Sequence, residues 1–315
     1  MAQIRSILAG VDLSQSYPPG SNNFSPPVQE AIRTALWLAE ETKAALTFLT
    51  SIEVPDGVSY LWATTEQPAN VATSLAEVAR ELLSQLVHDA HAKGIEAQAE
   101  VASGKGWVEI IRRVQRGGYD VVVVGTRNTR GVERFLLGST AQKLLRNCPS
   151  PVWVVRPDRA TNVSRIMVAS DLQPVSQKAL ELAAAIAALV PAEVRVVHAV
   201  HYPFDRVWAT HFEDIAPETY DERARTEAHE ILTQQVAGLA VAPPRVEIDL
   251  IDGVQGVDLA ILGYIEQHQI DMLVMGTVAR GGLPGILIGN TAERLLHSVP
   301  CSLLAVKPDD FVCPL

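Results

Sequence analysis

The sequence predicts an α/β protein of two tandem domains, each a doubly wound parallel sheet of five strands. Two observations lead to this fold. Short apolar runs rich in β-branched residues alternate with longer helical patterns, which is typical of βαβ units. The second half of the chain also repeats the first. Val121–Pro157 aligns with Asp271–Pro308, and the glycines, threonine and prolines that the two segments share are all 151 positions apart.

Length agrees with two domains, because domains usually hold roughly 100–200 residues and the chain has 315. The starts of the halves align at Asp12 and Asp171, an offset of 159, so the first copy has a longer early loop, Ser14–Pro27. We therefore expect domains over residues 1–157 and 162–309. We also expect the two copies to pair about a pseudo-twofold axis, through the last strand of each; a homodimer is a further possibility.

Each copy contains five apolar runs that predict strands and about four helical patterns. In such a sheet the ligand crevice lies beyond the carboxyl ends of the strands, where the strand order reverses. The predicted strands lie near Ile4–Val11, Leu46–Ile52, Glu96–Val101, Asp120–Gly125 and Pro151–Val155, and near Arg165–Ala169, Glu193–Val200, Arg245–Ile251, Asp271–Gly276 and Ser302–Val306.

Composition excludes several classes of protein. Hydrophobic residues make up 48% of the chain and charged residues 20%, which is typical of a packed globule and not of a disordered acidic chain. The net charge of −10 means that the chain has no overall positive charge to attract nucleic acid or an anionic membrane.

The expected compartment is the cytoplasm. Cys148, Cys301 and Cys313 are few and far apart, which suits a reducing environment. The first residues lack a signal-peptide pattern, and the longest apolar run, Ala179–Val190, falls short of the ~20 residues that span a bilayer. We therefore expect no membrane span.

The segment after the fourth strand of each copy is the candidate anion site. In the first copy, glycines allow close backbone approach, and the N–H groups that open a helix at Ser139 and Thr140 attract an anion. This loop also carries more positive charge than its counterpart in the second copy, with a net charge of +2 against +1. The charged residues of the two loops are Arg127, Arg130, Glu133 and Arg134 in the first and Arg280 in the second.

The helix starts predict the same difference between the copies. With Ser139 as the N-cap, the third helical position is the neutral Gln142; with Asn290 as the N-cap, it is Glu293. A carboxylate there satisfies the N-terminal donors and repels a phosphate. The second copy should therefore bind a nucleotide weakly or not at all.

These residues resemble the universal stress protein family, whose nucleotide-binding members carry a glycine, two residues, a glycine, nine residues, then glycine with serine or threonine. The first copy supplies Gly125, Gly138 and Ser139 but has Asn128 at the second glycine. The second copy departs further, with Ala279 at that glycine. The resemblance covers nearly the whole chain and is closest to tandem, E-type members, notably over GTVARGGLPGILIGNTAERLL.

The resemblance implies a Rossmann-like fold of the adenine nucleotide α-hydrolase-like type, with an adenine nucleotide between the first and fourth strand ends. It places Asp12 near the ribose, the Ser51 backbone near the adenine, and the glycine loop at the phosphates. The expected ligand is ATP, alone or with Mg²⁺. The implied residues are Asp12, Ser51, Gly125, Arg127, Asn128, Gly138, Ser139 and Thr140, and, as a weaker site, Asp171, Ala199, Gly276, Gly289, Asn290 and Thr291.

Simpler interpretations of these residues stay open. Both glycine loops could serve only to turn a strand into a helix, and Asp12 and Asp171 could be Asx turns. The arginines of the first loop could form a solvated surface.

Other motifs add little. No nucleophile elbow, Walker lysine or kinase loop occurs, so no catalytic residue is assigned. His88 and His91 have no further cysteine or histidine to complete a metal site. His198, His201, Asp205 and His211 are suitable ligand types near the crevice of the second copy, so a metal or polar-ligand site there stays open, although no metal ligand is assigned.

The sequence leaves three functions open. The first is a cytoplasmic stress-response protein that binds an adenine nucleotide in the first copy and acts through conformation or a partner protein. The second is a scaffold with vestigial sites. The third is a slow ATPase or self-phosphorylating protein with Ser139 or Thr140 as acceptor. The second copy could also hold another ligand, such as a lipid or a nucleotide-sugar.

Overall fold

A computed structural model describes residues 4–14, 24–53, 68–126, 137–157, 163–200, 217–277 and 289–315. The chain forms two compact units. One comprises residues 3–161 with 310–315, and the other residues 162–309. We refer to them as domain 1 and domain 2.

Domain 1 alternates strands and helices along the chain. Its elements are β1 (Ser6–Gly10), α1 (Pro26–Thr42), β2 (Ala45–Ile52), α2 (Pro68–Ala92), β3 (Ala97–Ser103), α3 (Gly106–Gly117), β4 (Val121–Gly125), α4 (Ser139–Asn147) and β5 (Val152–Val155).

Domain 2 repeats this order. Its elements are β6 (Arg165–Ala169), α5 (Pro174–Ala187), β7 (Glu193–Val200), α6 (Pro217–Ala237), β8 (Arg245–Asp252), α7 (Val257–Gln267), β9 (Met272–Gly276), α8 (Asn290–Leu296) and β10 (Ser302–Val306).

The strands of each domain form a parallel sheet. The order is β3-β2-β1-β4-β5 in domain 1 and β8-β7-β6-β9-β10 in domain 2. The chain leaves the central strand in one direction and returns on its other side. The reversal therefore falls between β1 and β4 in domain 1 and between β6 and β9 in domain 2, and the carboxyl ends of these pairs form the expected crevices.

The predicted α/β fold with a parallel sheet is confirmed. The ten predicted strands are present, and their bounds differ from the predictions by at most two residues. The largest such differences are at β1, predicted near Ile4–Val11, and at β3, predicted to end at Val101. Ile4 and Val11 are buried, so the apolar run is longer than the part that pairs as a strand.

In each domain, one aspartate at the start of the fourth strand is hydrogen-bonded to the start of the first strand. Asp120 Oδ2 accepts hydrogen bonds from the backbone N–H groups of Arg5 and Ser6 at 2.8 and 2.9 Å. In domain 2, Asp271 Oδ2 accepts from the N–H of Arg165 and of the residue before it, both at 3.0 Å. These bonds fix the amino ends of the strands, so the carboxyl ends meet in a defined register.

The apolar run Ala179–Val190 lies mostly in α5. Its alanines Ala179, Ala183 and Ala187 are fully buried at a spacing of four residues, so they form the helix face that packs on the sheet. Within the described parts of the chain, no helix has the length and apolar character needed to cross a bilayer.

A charged cluster lies on β7 and β8. Arg195 Nη2 is 2.6 Å from Glu193 Oε1 and 2.7 Å from Glu247 Oε2, and its Nη1 donates to the Tyr264 hydroxyl at 3.2 Å. The Tyr264 hydroxyl in turn donates to Asp249. Burial, together with this bond to a carboxylate, raises the pKa of Tyr264 to about 12. Burial opposes the charge on Arg195, but Tyr264 and the carboxylates outweigh it and raise the arginine's pKa.

Candidate functional site

A cavity of about 410 Å³ opens at the carboxyl ends of β1 and β4 in domain 1. Such a volume lies within the roughly 300–1,000 Å³ of small-molecule sites. The cavity brings together the predicted residues that the structure describes, namely Asp12, Ser51, Gly125, Gly138, Ser139 and Thr140. The predicted Arg127 and Asn128, and the charged residues Arg130, Glu133 and Arg134, lie outside the described residues.

The start of α4 forms one wall of this cavity. Its N-cap is Gly138, in an extended conformation, and not Ser139 as predicted. The first helical hydrogen bond runs from the Gln142 N–H to the Gly138 carbonyl, at 3.0 Å. The N–H groups of Ser139, Thr140 and Ala141 therefore precede the helical ladder, and the first turn carries no acidic residue. This arrangement suits an anion.

Asp12 lies two residues beyond the end of β1. Its Oδ1 accepts a hydrogen bond from the Ser14 N–H at 2.9 Å, so the Asx-turn geometry is present. The carboxylate nevertheless lines the cavity. A turn and a ligand contact are thus compatible at this residue, because a carboxylate has about four acceptor positions.

Ser51 faces the start of α3. A Cβ placed on Gly106 would lie 3.1 Å from Ser51 Oγ, which is tight contact. Both residues line the cavity. The glycine at this helix start therefore leaves room for the serine hydroxyl beside the strand end.

The packing around Gly125 gives this position a reason to be a glycine that involves no ligand. A Cβ there would lie 2.4 Å from the carbonyl oxygen of Pro27 and 2.7 Å from its carbonyl carbon. These are backbone atoms of α1, so a side chain cannot be accommodated without moving the helix. The close packing of α1 on β4 explains this glycine by itself.

The sequence interpretation missed several lining residues. These follow strands or open helices, and the one available signal was their position immediately beside the predicted motif. The main ones are Gly10, Ser25, Glu53, Gly106 and Thr126.

Domain 2 has a corresponding cavity of about 480 Å³ at the carboxyl ends of β6 and β9. It is lined by all six residues of the weaker predicted site, which are Asp171, Ala199, Gly276, Gly289, Asn290 and Thr291. Ala279 and Arg280 lie outside the described residues.

The helix that opens on this second cavity is shorter. α8 has seven residues, and its N-cap is Gly289 and not the predicted Asn290. Glu293 is therefore one position further along the helix than predicted, although it still lies in the first turn. Its Oε1 is 3.9 Å from His297 Nε2, one turn further on. The carboxylate keeps a negative charge near the helix start.

Asp171 is held more firmly than Asp12. Its Oδ1 accepts from the Ser176 hydroxyl at 2.6 Å and from the Gln173 N–H at 3.1 Å. The residue that corresponds to Ser176 at the start of α1 is Val28, whose side chain has no donor. Both residues line their cavities.

Two basic side chains lie at or beside the second cavity. His198 lines it, and its Nδ1 lies 2.8 Å from the Ser170 carbonyl oxygen, an acceptor that requires a proton on that nitrogen. Lys307 is buried and donates to the hydroxyl of Thr277, a lining residue, at 2.6 Å. The candidate ligands His201, Asp205 and His211 lie outside the described residues.

Comparison with known proteins identifies the family. The sequence profile described as the Universal stress protein family matches residues 4–156 and again residues 162–307. The chain belongs to the universal stress protein family. Because the profile matches twice, this universal stress protein is a tandem member.

Several similar curated proteins are E-type members. Universal stress protein E of Escherichia coli is 28% identical over 219 residues, which is 65% of this chain and 66% of that protein. Universal stress protein E of Photorhabdus laumondii is 22% identical over 330 aligned positions, covering 100% of this chain and 98% of the relative. The predicted resemblance to tandem, E-type universal stress proteins is confirmed.

A solved structure shows the same fold. The crystal structure of a universal stress protein from Archaeoglobus fulgidus DSM 4304 matches with a TM-score of 0.66 and 20% identity, covering 97% of this chain and 99% of that one. At this identity the match supports the fold of this universal stress protein and nothing finer.

Proposed function

We propose that domain 1 binds ATP or a related adenine nucleotide, and that binding controls the conformation of this cytoplasmic stress-response protein or its contact with a partner protein. One observation carries the proposal. The cavity of domain 1 combines the acid-free start of α4 with Asp12 and Ser51 at the two neighbouring strand ends. A polyphosphate and a nucleoside need these two kinds of surface side by side.

The assignment of groups follows the family resemblance. Asp12 takes the ribose, the Ser51 backbone takes the adenine, and Gly125, Gly138, Ser139 and Thr140 take the phosphates, with Arg127 and Asn128 in the same loop. The N–H groups before the α4 ladder support the phosphate end of this assignment, because they point out of the helix start.

Mg²⁺ is expected to enter with the phosphates. Magnesium takes carboxylate, water and phosphate oxygens. Among the described lining residues, Asp12 and Glu53 carry the carboxylates. Either could hold the ion beside the phosphate oxygens.

Domain 2 is proposed as a weaker nucleotide site. Glu293 lies in the first turn of the short α8, where a carboxylate opposes a phosphate. Ala199 replaces Ser51 and Asn290 replaces Ser139 at corresponding positions. Both changes alter the polar groups that the cavity offers.

Calorimetric titration with ATP and Mg²⁺ tests the proposal. The wild-type chain should bind about one equivalent tightly, and Gly138→Asp should abolish that binding, because it places a carboxylate at the N-cap beside the phosphate seat. The matched control is Gly289→Asp, which makes the same change in domain 2 and should leave the tight site intact. Tight binding that survives in G138D would contradict the assignment.

A scaffold without a ligand is the second candidate. Gly125 is required for the packing of α1 whether or not a nucleotide binds, because Pro27 fills the space of a Cβ. The same titration separates the two functions. The absence of both binding heat and a shift in melting temperature with ATP, ADP and AMP would favour the scaffold.

A further inference from the structure

A lysine and a tryptophan meet at the rim of the domain 1 cavity. Lys143 Nζ lies 5.1 Å from the centre of the Trp107 ring, within the range of a cation–π contact. Trp107 directly follows Gly106, which lines the cavity. Lys143 lies on α4, one turn beyond Ser139, which also lines it. The contact therefore joins the two helices whose first residues form the cavity wall.

The direction of the lysine side chain brings its charge toward this wall. Side chains on a helix lean toward the helix N-terminus and cover the turn that precedes their own Cα. Lys143 thus covers the first turn of α4, and the contact with Trp107 places its ammonium beside the start of α3. Lys143 is exposed, so it can change its conformation without opening the core.

Domain 2 has a different pair at the same two positions. Arg294 and Asp258 lie 151 positions after Lys143 and Trp107. Arg294 Nη1 is 3.1 Å from Asp258 Oδ1, so an ion pair replaces the cation–π contact. The arginine charge is balanced by its partner, whereas the tryptophan ring carries no charge to balance that of the lysine. Only the domain 1 pair offers a net positive charge to an anion at the helix start.

We propose that Lys143 is a specificity-determining residue of domain 1: its ammonium leaves the Trp107 ring and contacts the outer phosphates of the bound nucleotide, so that the cavity prefers ATP to AMP. The inference rests on the proposed nucleotide binding. It adds the residue that distinguishes nucleotides by the number of their phosphate groups. A hydrogen bond from an ammonium to a phosphate is charge-assisted and stronger than an exposed cation–π contact, which gives the movement its driving force.

Titrations of ATP, ADP and AMP into wild-type protein and Lys143→Gln test this role. K143Q should weaken ATP binding about five- to tenfold and AMP binding less than about twofold, because the lost charge faces the outer phosphates. Its ATP affinity should also fall less steeply with added salt. Lys143→Arg should keep the preference for ATP, since it keeps the charge.

Lys93→Gln is the matched control. Lys93 is exposed, and it lies between the end of α2 and the start of β3, at the amino edge of the sheet and opposite the cavity. The substitution removes the same charge from the chain. It should leave the affinities for all three nucleotides unchanged, and equal effects of K93Q and K143Q would overturn the inference.

Tryptophan fluorescence follows the movement itself. ATP should change the emission of Trp107 in the wild-type chain as the lysine departs. The change should be absent from Trp107→Phe, which identifies it among the five tryptophans. In K143Q, ATP at a saturating concentration should produce a much smaller change.

The outcomes separate the inference from the proposed function. If the wild-type chain binds ATP and K143Q retains both its affinity and its preference for ATP, Lys143 has no such role, although domain 1 remains a nucleotide site. If the wild-type chain binds none of the three nucleotides, the proposed function fails and the role of Lys143 fails with it. Melting temperatures of K143Q and K93Q check that both variants are folded.

Discussion

The cavities of the two domains use the same backbone positions with different side chains. Ser51 and Gly106 in domain 1 correspond to Ala199 and Val257 in domain 2. In domain 1 the Ser51 hydroxyl lies beside a glycine at a helix start. In domain 2 the methyl group of Ala199 replaces that hydroxyl, and the isopropyl group of Val257 stands where the glycine has no side chain. The second cavity keeps the volume of a ligand site, about 480 Å³, but presents less polar surface at these positions.

The paired aspartates Asp12 and Asp171 differ in the hydrogen bonds that they accept within the protein. Asp171 is bound by the Ser176 hydroxyl within its own domain, whereas Val28 stands at that position beside Asp12. A carboxylate that is already hydrogen-bonded has less to gain from a ribose hydroxyl. We therefore expect Asp171 to contribute less than Asp12 to nucleotide binding.

The outer strands show a second contrast. In domain 1, Thr47 Oγ1 accepts from Gln98 Nε2 at 3.0 Å and from the Tyr119 hydroxyl at 2.9 Å. At the position of Thr47, domain 2 has Arg195 with its carboxylates and Tyr264. At equivalent strand positions, domain 1 therefore has a neutral hydroxyl with two hydrogen bonds, and domain 2 has a charged network.

The largest expected effect comes from the glycines that end β4 and β9. Gly125→Ala should lower the free energy of unfolding by about 3 kcal/mol, because its Cβ would meet the Pro27 backbone, whereas Gly276→Ala should cost about 1 kcal/mol. The nearest atom to a Cβ on Gly276 is Cγ1 of Val175, at 2.7 Å, and a side chain can turn away. Urea unfolding followed by hydrogen exchange in each domain measures the loss of stability in both variants. Equal losses would refute the predicted difference between Gly125→Ala and Gly276→Ala.

The charged network should give domain 2 a dependence on alkaline pH. The pKa of Tyr264 is raised from 10.0 to about 12 in the folded protein, so its stabilisation is complete below pH 10 and is lost as the pH rises through about 12. Tyr264→Phe should cost about 2 kcal/mol at pH 8 through the lost bond to Asp249. The difference in unfolding free energy between wild type and Y264F should shrink between pH 10 and 12. A constant difference across that range would show that the ionisation of Tyr264 is not coupled to folding.

Exchange of the first-turn residues should move nucleotide affinity between the domains. Gln142 and Glu293 occupy equivalent positions, 151 residues apart. Gln142→Glu should weaken ATP binding in domain 1 about fivefold, and Glu293→Gln should strengthen it in domain 2 by a similar factor, because a carboxylate near the helix start repels phosphate. Calorimetry of E293Q in a G138D background isolates domain 2. No gain there would show that charge is not what weakens the second site.

The smallest expected effect concerns the ion pair of domain 2. Asp258→Asn should lower the free energy of unfolding by about 0.5 kcal/mol at low salt, since Arg294 is largely exposed and such pairs contribute little. Added salt should reduce the difference. A loss above about 2 kcal/mol would mean that the pair organises the helix start and is more than a surface contact.

Much of the candidate site could be predicted because it follows from strand ends. The family resemblance implied Asp12 and Ser51, which are far apart in the sequence. Both line the same cavity, because parallel strands bring their carboxyl ends to one edge of the sheet. The N-caps of α4 and α8 were not predicted, and the helices begin one residue earlier than expected, with glycine at each cap. Serine and asparagine are the usual N-cap residues, but here the extended glycine that precedes them takes that position.

The sequence by itself determined the fold class and the tandem repeat, because periodicity and a constant offset between copies are properties of the chain. It also indicated the family, through the resemblance of the glycine-loop motif and neighbouring stretches. Only the tertiary structure decided which side chains are satisfied within the protein. The bond from Ser176 to Asp171, the space that Pro27 takes from a Cβ at Gly125 and the pairing of Lys143 with Trp107 each join separate elements. Differences of a few tenths of an ångström in the separation of packed elements decide whether such contacts form, and no pattern along the chain records those separations.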